Sequence, residues 1–199
     1  MFVEDFQGAI REAKVKRESC FDCPLFDSPI VTFDTNLEEV EPVDVFFIGL
    51  NPGREEKEQG KPFVGKAGRE LRKYMQWLPE GTTWAISNCI LCFTRNEAEI
   101  PQANLVQQKC EPMLSKLLTY LPARVYVPLG AKAMAAFGVK GPVLKMSGQV
   151  VGGMTPDFIA AQSKIVPLIH PSAIFRPGRG EKSNRELFEE GMRVVVSSL

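Results

Sequence analysis

Three groups of residues in this chain have types and spacings that could do chemistry. Cys20 and Cys23 form a C-x-x-C pair, and Cys92 and Cys110 follow far downstream. Thiolate-only ligation by such a set leaves zinc or an iron–sulfur cluster. Zinc sites usually show two tight pairs, so one tight pair with two singletons favours a cluster. A thioredoxin-like role is disfavoured because the pair follows a helical pattern rather than joining a strand to a helix. Cys89 reads as a buried core residue, and plain burial is also the simpler account of Cys92 and Cys110.

The second group lies in Val43–Gly68, VDVFFIGLNPGREEKEQGKPFVGKAG. An apolar run ends at Gly49, Leu50, Asn51, Pro52 and Gly53, and a charged stretch leads to Gln59, Gly60, Phe63, Gly65 and Gly68. Glycines at the carboxyl end of a parallel strand let backbone N–H groups approach a ligand closely, and Phe63 offers a flat ring beside them. The bland alternative is a strand followed by a long surface turn. The third group surrounds the single histidine, His170, in Ile169-His170-Pro171-Ser172. After it come Ile174 and Phe175, read as an apolar wedge, with Arg176 and Arg179. A histidine beside such a loop suits extrusion of a nucleotide from a duplex.

The elements that must position these residues follow from hydrophobic periodicity. Val3–Arg17, Gly68–Leu78, Gln102–Tyr120, Ala131–Phe137 and Asn184–Ser197 read as helices. Val43–Leu50, Trp84–Leu91, Arg124–Leu129 and Lys164–Ile169 read as strands, the last made irregular by Pro167. Strand and helix alternate, which predicts a three-layer α/β/α sandwich around a mostly parallel four-stranded sheet in one domain spanning residues 1–199. Asn51 and His170 then fall on the same edge of the sheet.

The 199 residues carry 24 basic and 24 acidic side chains, so net charge does not announce a nucleic-acid partner. Local charge is more informative: Lys57, Lys61, Lys66, Arg69, Arg72 and Lys73 flank the glycine loop, and Arg176, Arg179, Lys182 and Arg185 flank the histidine loop. No stretch approaches the roughly 20 apolar residues of a membrane span, and the charged N-terminus is no signal peptide. An intracellular, cytoplasmic and nucleoid-associated protein is expected, acting as a monomer without a membrane partner.

Together these residues resemble the uracil-DNA glycosylase superfamily, and among its members the family-4 type with a four-iron cluster. The signs are Gly49-x-x-Pro52-Gly53, Gln59-Gly60-x-Pro62-Phe63-Val64-Gly65-x-Ala67-Gly68, Ser87-Asn88, Cys92 with Cys110, and His170-Pro171-Ser172. Their order and spacing, running from Cys20 to the final helix, make the resemblance specific. It implies that Phe63 stacks on a flipped uracil and that Asn88 reads its Watson–Crick edge. Groups near Gln59 and Gly60 complete the polar rim, and His170 donates to O2 of the departing base. Asn51 holds water, and Gly49, Leu50 and Gly53 line the site. Lys66, Ser172, Arg176 and Arg179 contact single- or double-stranded DNA. Cys20, Cys23, Cys92 and Cys110 hold a 4Fe-4S cluster.

The first motif departs from the family pattern. Family-4 proteins usually read Gly-Glu-Ala-Pro-Gly, whereas Gly49-Leu50-Asn51-Pro52-Gly53 is similar to the mismatch-specific and single-strand-selective families. A neutral amide cannot act as a general base, so Asn51 can only orient the attacking water. The most uracil-restricted family has a tyrosine at the position of Gly53, a barrier to 5-substituted bases that is absent here. The expected activity is monofunctional hydrolysis of the uracil N-glycosidic bond in DNA repair. The alternatives are a DNA-binding iron–sulfur protein of the same fold with lost or altered turnover, and a redox iron–sulfur protein.

Overall fold

A computed structural model describes residues 1–94, 103–151, 162–178 and 181–199; the side chains of residues 15, 16, 18, 19 and 103–105 lie outside that description. In chain order its elements begin with α1 (Val3–Lys16), α2 (Glu18–Phe21), β1 (Phe33–Thr35) and β2 (Val43–Gly49). There follow α3 (Arg54–Gln59), α4 (Lys66–Met75), β3 (Trp84–Asn88), α5 (Ala103–Tyr120) and β4 (Ala123–Pro128). The chain closes with α6 (Ala131–Ala136), α7 (Val143–Met146), β5 (Lys164–Ile165), a 3₁₀ turn (Pro171–Phe175) and α8 (Asn184–Ser198).

β2 is buried on both faces, which is why its sequence is continuously apolar rather than alternating. Phe46 and Ile48 face Phe6 and Ile10 of α1, Leu117 of α5 and Met134 of α6. Val45 and Phe47 face Leu71 of α4 and Phe188 and Met192 of α8. These two apolar layers, one on each face of the sheet, make the three-layer sandwich.

The sheet has five strands in the order β1-β3-β2-β4-β5, not the expected four. The additional strand, β1, pairs antiparallel with β3 at one edge, while the other neighbours run parallel. It is only three residues long, too short for a periodicity signal. β5 is shorter than Lys164–Ile169, because Pro167 has no N–H to give to the ladder. The edge resumes past it, with the Leu168 N–H donating to the Pro128 carbonyl at 3.0 Å. α4 starts two residues early, with Gly65 as its N-cap. The expected start of the next helix, Gln102, lies outside the described residues. No helix among the described residues is long and apolar enough to cross a membrane.

Candidate active site

The parallel register of β2 with β3 sets Gly49 opposite Asn88. A Cβ on Gly49 would lie 2.5 Å from Asn88 Oδ1 and 2.5 Å from Phe63 Cζ, so the amide and the ring occupy the space a side chain would take. Phe63 is held from behind as well, since a Cβ on Gly68 would stand 2.0 Å from the Phe63 carbonyl carbon. Its φ of +53° makes it the only non-glycine residue with positive φ among those described. Such a conformation persists only where the surroundings impose it, and it clusters at functional sites. Arg72 supplies part of that restraint, donating to the carbonyls of Phe63 at 3.0 Å and Pro62 at 3.1 Å while pairing with Asp34 at 2.7 Å.

His170 follows β5 and stands 6.1 Å from Phe63, ring centroid to ring centroid. Its Nδ1 accepts from the Ser172 N–H at 3.2 Å and lies 2.8 Å from the Ser172 hydroxyl. An Nδ1 that accepts a backbone N–H carries no proton, so the neutral ring has its proton on Nε2. Gly130, with φ of +91°, lets β4 pass close behind; a Cβ there would be 3.1 Å from His170 Cβ. Asn51 donates from Nδ2 to the Thr94 hydroxyl at 2.8 Å and to the Pro52 carbonyl at 3.2 Å. A carbonyl can only accept, which fixes the amide orientation and leaves Oδ1 as the acceptor end.

These groups enclose a cavity of about 410 Å³, lined among others by Asn51, Glu56, Phe63, Asn88, Thr94 and His170. Asn88 is only 2% exposed, yet its Nδ2 has no hydrogen-bond partner. A buried amide donor left unsatisfied costs about 1–3 kcal/mol, so the site holds a polar atom awaiting an acceptor. Leu50 and Gly53 also line the cavity. Gln59 and Gly60 do not: they border a separate cavity with Phe2, Gln7 and Lys61, and Gly60 ends α3 in the left-handed conformation.

Lys66 lines the cavity mouth with its ammonium 4.1 Å from the centre of the Phe175 ring. Phe175 is 42% exposed, but Ile174 is buried among α8 residues, so the expected two-residue wedge is reduced to one. The charge of the two basic stretches is largely consumed by pairing. Arg69 meets Glu55, Arg72 meets Asp34, Lys73 and Arg185 meet Glu70, and Lys182 meets Glu190. Arg176 is exposed beside a second, 1180 Å³ groove that shares Leu50 and His170 with the first cavity and also includes Ser172 and Lys132. Arg179 lies outside the described residues. Glu56 and Thr94 had no motif to mark them; Glu56 acts through backbone N–H groups three to nine residues away, and Thr94 through Asn51, 43 positions before it.

Three of the four thiols border the apolar patch that includes Leu50. Cys92 packs with Leu25, Leu50, Ile90 and Val106, and Cys23 and Cys110 pack against that patch. Burial pushes the Cys110 thiol up to about 12, and the proximity of Cys92, Cys23 and Cys20 adds to the effect. Burial likewise raises Cys92, against the pull of the nearby Lys14 ammonium. Cys89 is fully enclosed and raised to about 12 by burial, as a core residue should be. The donor set fits thiolate ligation in kind, and all four thiols share one electrostatic neighbourhood. As they stand, no three Cys, His, Asp or Glu side chains among the described residues are grouped closely enough to hold a metal ion.

The model of the Uracil DNA glycosylase superfamily matches residues 39–192, more than half of the chain. The chain belongs to that superfamily. The match takes in β2, Phe63, Asn88 and His170, and thus every wall of the glycosylase-like cavity. Within the superfamily the likeness is to type-4 members. A Type-4 uracil-DNA glycosylase of Thermotoga maritima is 27% identical over 197 residues, covering 96% of this chain and 94% of that protein. One of Sulfurisphaera tokodaii is 28% identical over 192 residues, covering 92% and 82%. One of Pyrobaculum aerophilum is 31% identical over 136 residues, covering 66% and 68%.

Proposed function

We propose that the chain is a monofunctional uracil-DNA glycosylase of DNA repair, which takes uracil out of DNA and hydrolyses its N-glycosidic bond to leave an abasic site. The observation that carries this reading is the unpartnered Asn88 Nδ2, buried beside the Phe63 ring and sharing a cavity with His170. An Asn amide offers a donor to uracil O4 and an acceptor to N3–H. Cytosine presents the reverse pattern at both positions, so an amide held in this orientation disfavours it. Phe63 stacks on the base face.

Breaking the C1′–N1 bond leaves its electron pair on the base, where charge spreads to O2. His170, with its proton on Nε2, donates to that oxygen without first becoming charged. Preorganised donors of this kind contribute several kcal/mol to leaving-group departure. The sugar cation is captured by water that Asn51 Oδ1 orients; the water oxygen bonds to C1′ and its proton passes to solvent, while the departed base takes up a proton. The reaction runs dissociatively, because no neutral amide can deprotonate the water. Lys66, Ser172, Arg176 and Arg179 serve the DNA backbone, and Phe175 enters the duplex as the base leaves it.

Cys20, Cys23, Cys92 and Cys110 would hold a 4Fe-4S cluster. When bound, that group supplies a cross-link between the segment of α2, the exit of β3 and α5. Gly53 leaves the cavity open to 5-substituted uracils.

The deciding experiment incubates oligonucleotides containing uracil, 5-hydroxymethyluracil or cytosine with the protein and then cleaves abasic sites with alkali. Strand scission at uracil, lost in Asn88→Ala and His170→Ala, is the expected result. Absence of scission from single strands and from U·G and U·A duplexes overturns the enzymatic reading. Refusal of 5-hydroxymethyluracil at excess enzyme overturns the open-cavity reading. Visible charge-transfer absorption of the purified protein, lost in Cys92→Ser, tests the cluster.

A further inference from the structure

Glu56 places an acid on the wall of a cavity that is to receive a polyanion, a position that weakens DNA binding unless the group has a task. Its acceptor capacity is nearly all committed. Oε1 accepts from the Val64 N–H at 2.9 Å and the Gly65 N–H at 2.7 Å, and Oε2 accepts from the Gly53 N–H at 3.1 Å. One side chain on α3 thus ties the turn at Gly53 to the loop that ends in the N-cap of α4. A carboxylate has about four acceptor positions, so little is left with which to activate water. Its neighbour Glu55 is engaged with Arg69 at 2.6 Å and cannot take its place.

The tied loop is the one that contains Phe63 in its left-handed conformation. The Val64 N–H belongs to the peptide that follows Phe63, and the Phe63 carbonyl is the other pole of that same peptide. Arg72 grips the carbonyl at 3.0 Å and Glu56 grips the N–H at 2.9 Å, so the plane that sets the Phe63 ψ is held from both ends. A positive φ is unfavourable for an aromatic residue, and loss of the Glu56 bonds removes the restraint on the N–H side of that peptide, leaving only Arg72 on its carbonyl.

Resting on the glycosylase reading above, we propose that Glu56 is a positioning residue for the flipped base. By fixing the Phe63–Val64 peptide it holds the Phe63 ring where a pyrimidine must stack, and it takes no part in proton transfer.

The test has two arms. In the free protein, Glu56→Ala should speed amide hydrogen exchange at Val64 and Gly65 at least tenfold while the amides of β2 keep their rates. In Glu56→Gln the Oε1 bonds survive and only the Gly53 contact is lost, so exchange at Val64 and Gly65 should stay near that of the parent. The second arm compares binding to a duplex with non-cleavable 2′-fluoro-2′-deoxyuridine against one with a baseless tetrahydrofuran site. Glu56→Ala should weaken the first about tenfold and the second less than twofold, and should add nothing in a Phe63→Ala background. Equal weakening of both duplexes, full additivity with Phe63→Ala, or unchanged exchange would each overturn the proposal. A parent protein that binds the uridine duplex no better than an unmodified one overturns the glycosylase reading and the base-positioning role with it, while the exchange arm still reports the tie itself.

Discussion

Gly49→Ala is the sharpest perturbation the site offers. The new methyl would lie 2.5 Å from both Asn88 Oδ1 and Phe63 Cζ, and 2.8 Å from Phe63 Cε2. Carbon atoms in good contact sit about 3.5–4.0 Å apart, so ring and amide must retreat by roughly 1 Å. The Phe63 backbone has little freedom to follow, because Gly68 lies so close to it that even a Cβ would overlap it. Forced overpacking of this kind costs about 1–3 kcal/mol, which in a chain of this size lowers the melting temperature by about 3–10 °C. The functional cost is larger, since a 1 Å misplacement of binding groups can lose about 10²-fold in rate. Single-turnover release of uracil from an oligonucleotide, with enzyme in excess, measures it directly. Gly8→Ala is the control: it lies in α1 with nothing within 4 Å and should leave the rate unchanged. A Gly49→Ala protein that turns over within threefold of the parent would refute the packing account of the cavity.

Asn51→Ala should slow single-turnover cleavage about tenfold to hundredfold, and an unchanged rate removes the water-orienting role. Thr94→Val, which frees the Asn51 amide, should reproduce part of that loss, and Thr94→Ser should restore it. Lys66→Met should lower DNA affinity and reduce the slope of log K against log salt by about one; a slope equal to that of the parent takes Lys66 off the backbone. The Thr83 N–H, with the Thr83 hydroxyl and Arg124, holds the Asp44 carboxyl below its usual range against the opposing effect of burial. Its folded pKa is depressed, so its stabilising contribution is present above the unfolded value of about 3.9 and fades as pH falls through the folded one. Urea melts should therefore show Asp44→Asn less stable than the parent at neutral pH, with the gap closing in acid; a gap of constant size contradicts the assignment.

Much of the site is legible in the sequence because the fold delivers it by rule. Asn51, Asn88 and His170 each follow an apolar run that becomes a strand, and strands in a parallel sheet end on one edge. The identities of the layers are equally plain in the two-sided burial of β2. What the sequence hides depends on pairing between remote segments. β1 is a strand only because β3 lies beside it. The basic stretches look cationic until Glu55, Asp34, Glu70 and Glu190 fold against them. Gln59 and Gly60 fall away from the cavity because α3 turns the charged stretch into a helix, and Glu56 becomes a tie for the same reason. Thr94 matters only through the Asn51 amide, a partner 43 positions away.

Leu50 is a partition between a cavity and a packed apolar patch. One side of it lines the base cavity, and the other is packed into the patch of Leu25, Ile90, Cys92 and Val106. The resemblance to family-4 proteins implies glutamate at this position, so the loss of a carboxylate looks reversible on paper. Here the position is 6% exposed and backed by aliphatic side chains, and a charge there would be desolvated against them. Leu50→Glu should therefore lower the melting temperature without raising the cleavage rate. Because close-packed side chains transmit strain, a change of volume on the thiol side should shift the cavity wall that Leu50 forms. Replacing a thiol there should then be felt as a change in the shape of the cavity.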